Sequence, residues 1–301
     1  CKGEWILNWS NFCFYVMKLA EKALLYEVSA TPKPGLVDRN NSGAHHDMDY
    51  YTFLNSSVAL MDYFYNCTLA GLTFNEPYYD RLLDKIRPIG IEAELSMYEA
   101  TKGVNTHKGI IFSLGIIAAA AGLLYSINGS KFIPAPEISK LVRQICKGIT
   151  EELKNTGHKK SLTYGERIFK KYGVKGIRGE VESGFQTVLQ HSLPLIKELM
   201  KEKRTINDVT VTILLALIAH TEDSNILGRH NMEMLEYAQE KARAALNLGG
   251  YLTPEGKEFV WDMDRDFIEK NISPGGAADL TAVTLFLYFL ENGDNLINTK
   301  G

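Results

Sequence analysis

The sequence predicts an all-α protein, a single multi-helix globular domain of residues 1–301 with a central buried apolar helix. Apolar residues recur at spacings of three and four along most of the chain, which is typical of amphipathic helices. Alternating β patterns are scarce, and no Pro/Gly/Ser-rich hinge separates two halves. The composition, 45% hydrophobic and 23% charged, is that of an ordinary globular protein large enough to bury a core.

The first helices follow from their apolar stripes. The stripe of the first helix consists of Phe12, Val16, Leu19, Ala23 and Tyr26. This helix has to end before Pro32, because proline disfavours helical geometry in the residue that precedes it. A second helix is predicted to start near Asp47 or Asp49 and to run to about Ala70, with apolar stripes on two faces.

Further helices are predicted from the same periodicity over 78–86, 89–101, 106–126, 136–154, 180–202, 207–221, 231–247, 254–270 and 277–291. The run from Gly109 to Tyr125 carries no charge and approaches the length of a membrane span. It is rich in Ala and Gly, and it lacks a comparable second span or flanking basic clusters. We therefore expect it to be the buried central helix of a soluble bundle.

Charge and cysteine usage exclude several classes of protein. The net charge of -3 gives no reason to expect a nucleic-acid or membrane partner. The four cysteines are scattered and form no CxxC pair, which favours free thiols in a reducing compartment. The chain also lacks GxxxxGK[ST], GxGxxG, HExxH and GxSxG motifs, so the common kinase, dehydrogenase, metalloprotease and hydrolase classes are not supported.

Polar segments between the helices provide the candidate site residues. The segment 103–109 leads into the central helix, where Thr106 is the predicted N-cap and Asn105, His107 and Lys108 are candidate phosphate-binding residues. A helix N-terminus beside a lysine attracts phosphate, because free N–H groups and positive charge converge there. An ordinary capped helix with Lys108 in solvent explains the segment equally well.

A second pair of segments offers another cation and two carboxylates. Arg178 lies between two glycines, so it can clamp a phosphate closely, although a plain turn is an equal alternative. Glu180 follows it. Asp223 is predicted at the C-terminus of an apolar helix, where the helix dipole disfavours it. This suggests a magnesium ligand, and a solvated helix end is a fair alternative.

Two more segments add candidate groups. Asp47, beside His45, is either the N-cap of the second helix or a functional carboxylate. The paired histidines resemble part of a zinc site, but no further spaced Cys or His supports zinc. The segment 273–279 is predicted to turn between two helices, with Asp279 in the first turn of the last one. It is either a backbone cradle for an anion with a carboxylate beside it, or a plain turn followed by an acid that the helix dipole favours.

Taken together, these segments resemble the triphosphoribosyl-dephospho-coenzyme A synthase family. The resemblance rests on PKPGLVDRNNSGAHHDM (32–48), GVNTHKGIIFSLG (103–115), GERIFKKYGVKGIRGE (165–180), TEDSN (221–225) and NISPGGAADL (271–280). It covers most of the chain, but not the stretch before Tyr15. It implies a cytoplasmic transferase that joins ATP to 3′-dephospho-CoA and releases adenine. The product is the precursor of the acyl carrier protein prosthetic group of citrate lyase or malonate decarboxylase.

The resemblance also implies roles for the candidate residues. The triphosphate stays whole and requires cations and Mg²⁺, while a carboxylate stabilises positive charge at C1′. The expected catalytic residues are Asp47, His45, Glu180 and Asp279, with Glu27 as a weaker candidate. The expected substrate- and phosphate-binding residues are Lys33, Asn105, His107, Lys108, Arg178, Ser273, Gly275 and Gly276. The expected Mg²⁺ ligands are Asp223 and Asp47.

Two other functions are open at this point. A nucleotide N-glycohydrolase would release adenine to water, and a helical regulator would bind nucleotides without catalysis. The many carboxylates in the loops argue against pure binding, because phosphate binding requires cations and has little use for acids. The sequence does not predict an oligomeric state.

Overall fold

The computed structural model describes residues 2–154 and 161–293, so Cys1 and the last residues of the predicted domain lie outside it. Within the described residues the chain forms helices and no β-strand, which confirms the all-α prediction. The α-helices are α1 (Lys2–Ser29), α2 (Tyr50–Ala59), α3 (Met61–Leu72), α4 (Arg81–Ala100), α5 (Lys108–Asn128), α6 (Ala135–Ile145), α7 (Tyr164–Tyr172), α8 (Gly176–Ser183), α9 (Leu193–Lys201), α10 (Ile206–His220), α11 (Ser224–Arg229), α12 (Met232–Asn247), α13 (Pro254–Glu269) and α14 (Gly275–Asn292). Short 3₁₀ segments span Ile149–Leu153 and Gly250–Leu252, and a π-helical segment spans Val188–Ser192.

Helix α5 lies at the centre of the bundle, in contact with α1, α3, α4, α6 and α14. It is long and apolar enough to cross a membrane, but 72% of its most apolar stretch is buried inside the protein. Close packing against α3 depends on glycine, because a Cβ on Gly122 would lie 2.1 Å from the carbonyl oxygen of Thr68. The predicted central apolar helix is therefore a helix of the protein core.

Two more apolar helices, α10 and α14, complete the core. Nearly every side chain of α10 from Val209 to Ala219 is buried, and α14 is buried from Leu280 to Leu290. Helix α14 packs against α1, α5 and α10, so the last helix joins the first helix and the central one.

Several predicted helix boundaries are wrong for identifiable reasons. The helix predicted to run to Ala70 is divided at Leu60, whose backbone (φ -97°, ψ -3°) interrupts it without a Gly or Pro. The helices predicted over 78–86 and 89–101 form the single helix α4, which contains Pro88. Proline has no N–H, so one carbonyl of the preceding turn lacks its helical partner. Because Pro88 is exposed, that carbonyl can face water and the helix continues. The helix predicted over 136–154 is α6 followed by a 3₁₀ segment, and the helix predicted over 180–202 is the end of α8, the π-helical segment and α9. Helices α7 and α11 were not predicted.

Two predicted caps are also wrong. Asp49, rather than Asp47, caps α2 and forms a capping box with Thr52. At α5 the N-cap position is His107, and the hydroxyl of Thr106 donates to Ser56 (2.7 Å) instead of capping the helix.

Candidate active site

A cleft opens where the loop after α1 meets α2 and the N-termini of α5, α11 and α14. Its volume, including the open mouth, is about 730 Å³. The lining comes from residues between 27 and 53, between 105 and 110, at 225 and 229, and between 273 and 279. Four of the five segments singled out from the sequence therefore meet in one place.

The loop after α1 is held by two buried carboxylates that the sequence analysis did not select. The Asp38 side chain accepts hydrogen bonds from the main-chain N–H groups of Lys33 (2.9 Å) and Asn41 (3.0 Å). The Asp264 side chain accepts from the N–H of Gly35 (3.0 Å) and the amide of Asn41 (2.8 Å). Because Asp264 lies more than 200 residues away, only the folded chain shows that this loop is fixed.

Lys33 and Glu27 form a buried ion pair on the wall of the cleft. The Nζ–Oε1 distance is 2.5 Å, and the two side chains are 2% and 3% exposed. Burial raises the pKa of the Glu27 carboxyl, and the positive charge of Lys33 opposes that rise. Lys33, predicted as a phosphate-binding cation, is thus already paired with a carboxylate.

Asp279 projects into the cleft from the second turn of α14, one turn later than predicted. Its carboxylate lies against the first turn of α5, where a Cβ on Gly109 would be 1.9 Å from Oδ2. Within the described residues it forms no hydrogen bond or ion pair. Burial raises the pKa of Asp279 well above its ordinary value, and the negative charges of Glu27 and Asp223 raise it further.

The N-terminus of α5 contributes one exposed cation to the cleft. The side chain of Asn105 accepts a hydrogen bond from the N–H of Lys108 (3.2 Å) and stabilises the start of the helix. The Lys108 ammonium is half-exposed and lies 2.7 Å from the Glu94 carboxylate. An exposed pair of this kind is weak, so Lys108 can exchange Glu94 for an anionic ligand at low cost.

His107 is buried behind the cleft rather than lining it. Its Nδ1 atom lies 2.6 Å from the Ser56 hydroxyl, and its Nε2 atom has no partner among the described residues. Burial lowers the pKa of His107 to about 3, and the charge of Lys33 adds to the effect. A neutral, enclosed imidazole is not a phosphate-binding cation, so the predicted role of His107 lacks geometric support.

Asp223 joins the N-termini of two helices. Its Oδ1 accepts from the N–H groups of Asn225 (2.8 Å) and Ile226 (3.3 Å), and its Oδ2 accepts from Ala277 (3.0 Å). The unfavourable dipole predicted for Asp223 is therefore wrong, because the carboxylate stands at the start of α11 and α14, where the dipole favours it. Both oxygens are used, which argues against Asp223 as a magnesium ligand.

The predicted anion cradle at the start of α14 is occupied by this same carboxylate. The N–H of Ala277 donates to Asp223, and a Cβ on Gly276 would lie 3.0 Å from an oxygen of that side chain. Gly275 and Ser273 do line the cleft, and the Ser273 hydroxyl lies 2.8 Å from Nε2 of His45. A protein carboxylate thus takes the position that the prediction gave to a phosphate.

His45 lines the cleft in contact with an arginine that the sequence analysis missed. The Nη2 atom of Arg229 lies 3.2 Å from Nδ1 of His45, and Nη1 donates to the carbonyl of Ala44 and the side chain of Asn271, both at 2.9 Å. Burial and the charge of Arg229 lower the pKa of His45 to about 4. Asp47 is 66% exposed, 3.8 Å from His45, and outside the cleft lining.

Comparison with known proteins shows the family of this chain. A family model described as ATP:dephospho-CoA triphosphoribosyl transferase matches residues 13–298. The chain is 38% identical over 273 residues to a 2-(5''-triphosphoribosyl)-3'-dephosphocoenzyme-A synthase from Klebsiella pneumoniae, covering 90% of this chain and 89% of that protein. It is 42% identical over 277 residues to a Photobacterium profundum protein named a probable synthase of the same kind, covering 92% and 88%. The chain belongs to the ATP:dephospho-CoA triphosphoribosyl transferase family.

A solved structure supports the fold. The crystal structure of an Archaeoglobus fulgidus protein, provisionally named triphosphoribosyl-dephospho-CoA synthase, matches with a TM-score of 0.51 at 17% identity. The match covers 80% of this chain and all of the archaeal one. At this identity it shows the all-α architecture alone.

Two residues assigned from the resemblance to the transferase family lie away from the cleft lining. Arg178 and Glu180 belong to helix α8, not to the loop that the flanking glycines predicted. Glu180 accepts a hydrogen bond from the Thr187 hydroxyl (2.5 Å), and burial raises its pKa. Their roles as phosphate-binding and catalytic residues of the transferase remain predictions, without support from the geometry of the cleft.

The described residues contain no group of three or more His, Cys, Asp or Glu side chains able to hold a metal ion. Mg²⁺ is commonly bound through substrate phosphates and one or two carboxylates, so a transferase acting on ATP does not require such a cluster. Among the two predicted ligands, Asp223 has its oxygens occupied, whereas Asp47 is exposed beside the mouth of the cleft. Of the two predicted ligands, Asp47 is therefore the one whose carboxylate is accessible.

Proposed function

We propose that this protein transfers the triphosphoribosyl group of ATP to the 2′-hydroxyl of 3′-dephospho-CoA and releases adenine. The observation that carries the proposal is the cleft itself, where the partly buried carboxylate of Asp279 lies in the same pocket as the cations Lys108 and Arg229. Transfer that keeps the triphosphate whole requires cations that bind the phosphates and a carboxylate beside the reacting carbon. Membership of the transferase family supports this same pair of substrates.

The apolar part of the lining suits the adenosine end of ATP. Leu36, Val37, Met48 and Phe53 supply this surface, on the loop after α1 and the first turn of α2. A flat base binds such side chains by burial and stacking, since its faces are apolar. We infer that adenine lies against this surface, with the ribose toward Asp279.

Asp279 is the residue to which we assign the central chemistry. As the bond between C1′ and adenine breaks, positive charge develops on the ribose, and a carboxylate beside it stabilises that charge. The 2′-hydroxyl of dephospho-CoA forms the new bond to C1′ and gives its proton to Asp279, while the bond from C1′ to adenine breaks. Adenine takes up a proton from water as it leaves, and Asp279 then returns its proton to water. A carboxylate with a raised pKa is a better base near neutral pH than an ordinary aspartate.

The metal has a limited part in this proposal. When bound to ATP, Mg²⁺ would neutralise part of the triphosphate charge, with Asp47 as the protein carboxylate able to reach it. Lys108 and Arg229 would hold the remaining phosphate charge. We place the reaction in the cytoplasm, with a product that serves as precursor of the citrate lyase or malonate decarboxylase prosthetic group.

Mass spectrometry of the reaction tests the function. The wild-type protein, incubated with ATP, Mg²⁺ and 3′-dephospho-CoA, is expected to release adenine and to form one adduct that retains all three ATP phosphates. Asp279→Asn serves as the inactive control. ADP or AMP as the main product would contradict the transferase. Adenine release without dephospho-CoA, together with free triphosphoribose, would instead indicate a nucleotide N-glycohydrolase.

A further inference from the structure

Three cations line the cleft, and they differ in the groups that they bind. Lys33 is paired with Glu27 (2.5 Å), and Lys108 is paired with Glu94 (2.7 Å). Arg229 donates its hydrogen bonds to a carbonyl, a side-chain amide and an imidazole, and within the described residues it forms no salt bridge. Arg229 therefore brings a positive charge to the cleft that no contacting carboxylate neutralises.

The orientation of Arg229 is fixed from three parts of the chain. Its Nη1 atom donates to the carbonyl of Ala44 and to Oδ1 of Asn271, and its Nη2 atom faces His45. These groups lie 185, 42 and 184 residues from Arg229 in sequence, so the tertiary fold rather than a local turn holds the guanidinium. Fixed in this way, the guanidinium loses little side-chain freedom when it binds a ligand, which favours affinity.

His45 supports this orientation. Its Nε2 atom lies 2.8 Å from the Ser273 hydroxyl, and the ring is mostly enclosed, with 14% of the side chain exposed. The Nη2 atom of Arg229 lies 3.2 Å from Nδ1 and 3.3 Å from Nε2 of this ring, so a ring held by Ser273 is placed to position the arginine. The role of His45 as a catalytic residue stays a prediction, and its contacts suit the positioning of Arg229.

We propose that Arg229, held by His45, Ala44 and Asn271, binds the triphosphate of ATP directly through its guanidinium. The proposal rests on the proposed function, because the ligand is taken from it. A guanidinium offers parallel N–H donors that match phosphate oxygens, and hydrogen bonds between charged groups are the strong ones. This assigns to Arg229 the role that sequence reasoning gave to Arg178.

The test measures binding of inorganic tripolyphosphate by titration calorimetry, without acceptor or chemistry. Arg229→Gln is expected to weaken binding about tenfold or more, because it removes a charge-assisted contact. Arg229→Lys keeps the positive charge but loses the paired N–H donors of the guanidinium. Its affinity for tripolyphosphate is expected to lie between those of the wild type and Arg229→Gln. The matched control is Arg243→Gln, an arginine that also donates to a carbonyl (Ala219, 3.2 Å) but lies outside the cleft lining. It is expected to bind like the wild type.

His45 is tested by rescue. His45→Gln retains an atom that accepts from Arg229, and it is expected to bind tripolyphosphate more tightly than His45→Ala. Both variants are expected to raise the KM for ATP while leaving the KM for dephospho-CoA unchanged. Equal affinity of the two folded variants for tripolyphosphate would show that His45 does not position the arginine.

The outcomes separate this inference from the proposed function. A folded Arg229→Gln variant that binds tripolyphosphate like the wild type, or a wild type that does not bind it, would overturn the assignment. If Arg229→Gln does not fold, wild-type protein is treated with phenylglyoxal and mapped by peptide mass spectrometry. Protection of Arg229 by tripolyphosphate supports the assignment, and equal modification with and without it overturns the assignment. Adenine release by the wild type tests the function independently.

Discussion

The carboxylate of Asp223 accepts a hydrogen bond from the main-chain N–H of Ala277 (3.0 Å), 54 residues further along the chain. Through its other oxygen the same side chain caps α11. One buried acid therefore fixes the start of α11 to the start of α14, the two helices that carry Arg229 and Asp279. The geometry of the cleft depends on this link.

Asp223→Ala is expected to lower the free energy of unfolding by about 2–4 kcal/mol, because it leaves buried N–H groups of two helices without acceptors. The measurement is urea denaturation followed by circular dichroism. The control is Asn231→Ala, which removes the cap of α12 alone and is expected to cost about 0.5–2 kcal/mol. Equal losses in the two variants would argue against the double capping role.

Asp279→Asn is expected to reduce kcat by about 100-fold or more, because the variant loses the base and the negative charge beside C1′. In wild-type protein, kcat is expected to fall as the pH drops through the raised pKa of Asp279, since the base becomes protonated. The pH–rate profile of adenine release measures both effects. Asp266→Asn, a carboxylate paired with Lys270 outside the cleft lining, is the control that keeps activity. Normal turnover in Asp279→Asn would remove Asp279 from the chemistry.

The same substitution is expected to raise the melting temperature at pH 7. An acid whose folded pKa lies above its unfolded value of about 3.8 opposes folding once it is ionised. Its unfavourable contribution grows as the pH rises from the unfolded pKa to the folded pKa and is then constant. The advantage of Asp279→Asn over the wild type should therefore shrink as the pH is lowered toward 4. An advantage that stays constant with pH would point to a cause other than ionisation.

Breaking the Glu27–Lys33 pair is expected to be costly. Lys33→Met alone, or Glu27→Gln alone, should each lower the free energy of unfolding by about 3–5 kcal/mol, because an unpaired group is left buried. The double variant Glu27→Gln/Lys33→Met should cost clearly less than the sum of the two, since neither charge remains. Thermal or chemical denaturation of the four proteins in a double-mutant cycle measures the coupling. Additive losses would mean that the two side chains do not act as a pair.

Lys108→Ala is expected to raise the KM for ATP several-fold and to leave stability almost unchanged. Its pair with Glu94 is exposed and contributes about 0–1 kcal/mol to folding, whereas its charge faces the cleft. Lys85 lies on α4, the helix that carries Glu94, and forms a comparable exposed pair with Glu76, so Lys85→Ala is the control. It should change neither quantity. A KM for ATP that is the same in both variants would exclude Lys108 from phosphate binding.

Periodicity was sufficient to predict the helical class and the central helix, because those depend on local patterns. Predicted helix boundaries were wrong where tertiary packing outweighed the local sequence preference. Leu60 interrupts a helix although its residue type favours one, and exposed Pro88 is accommodated inside α4. The local argument for Asp223 failed in the same way, since its partners on α14 are distant in sequence.

The candidate site was predicted in part. Asp279, Lys108, Ser273 and Gly275 were selected from short segments, and the structure places all four on the cleft. Arg229 was missed because it belongs to no motif of its own and acquires its position from Ala44, His45 and Asn271. Arg178 was selected because two glycines flank it, but those glycines lie in a helix and not in a phosphate-binding loop.

The position of α14 has a consequence for protein synthesis. Ser273, Gly275 and Asp279 reach the cleft only after α14 has packed against α1 and α5. A ribosome-bound chain that ends before α14 would hold the loop after α1 and the start of α5, but neither Asp279 nor the main-chain N–H of Ala277 that anchors Asp223. A nascent chain should therefore gain affinity for the nucleotide only after α14 has left the exit tunnel and docked.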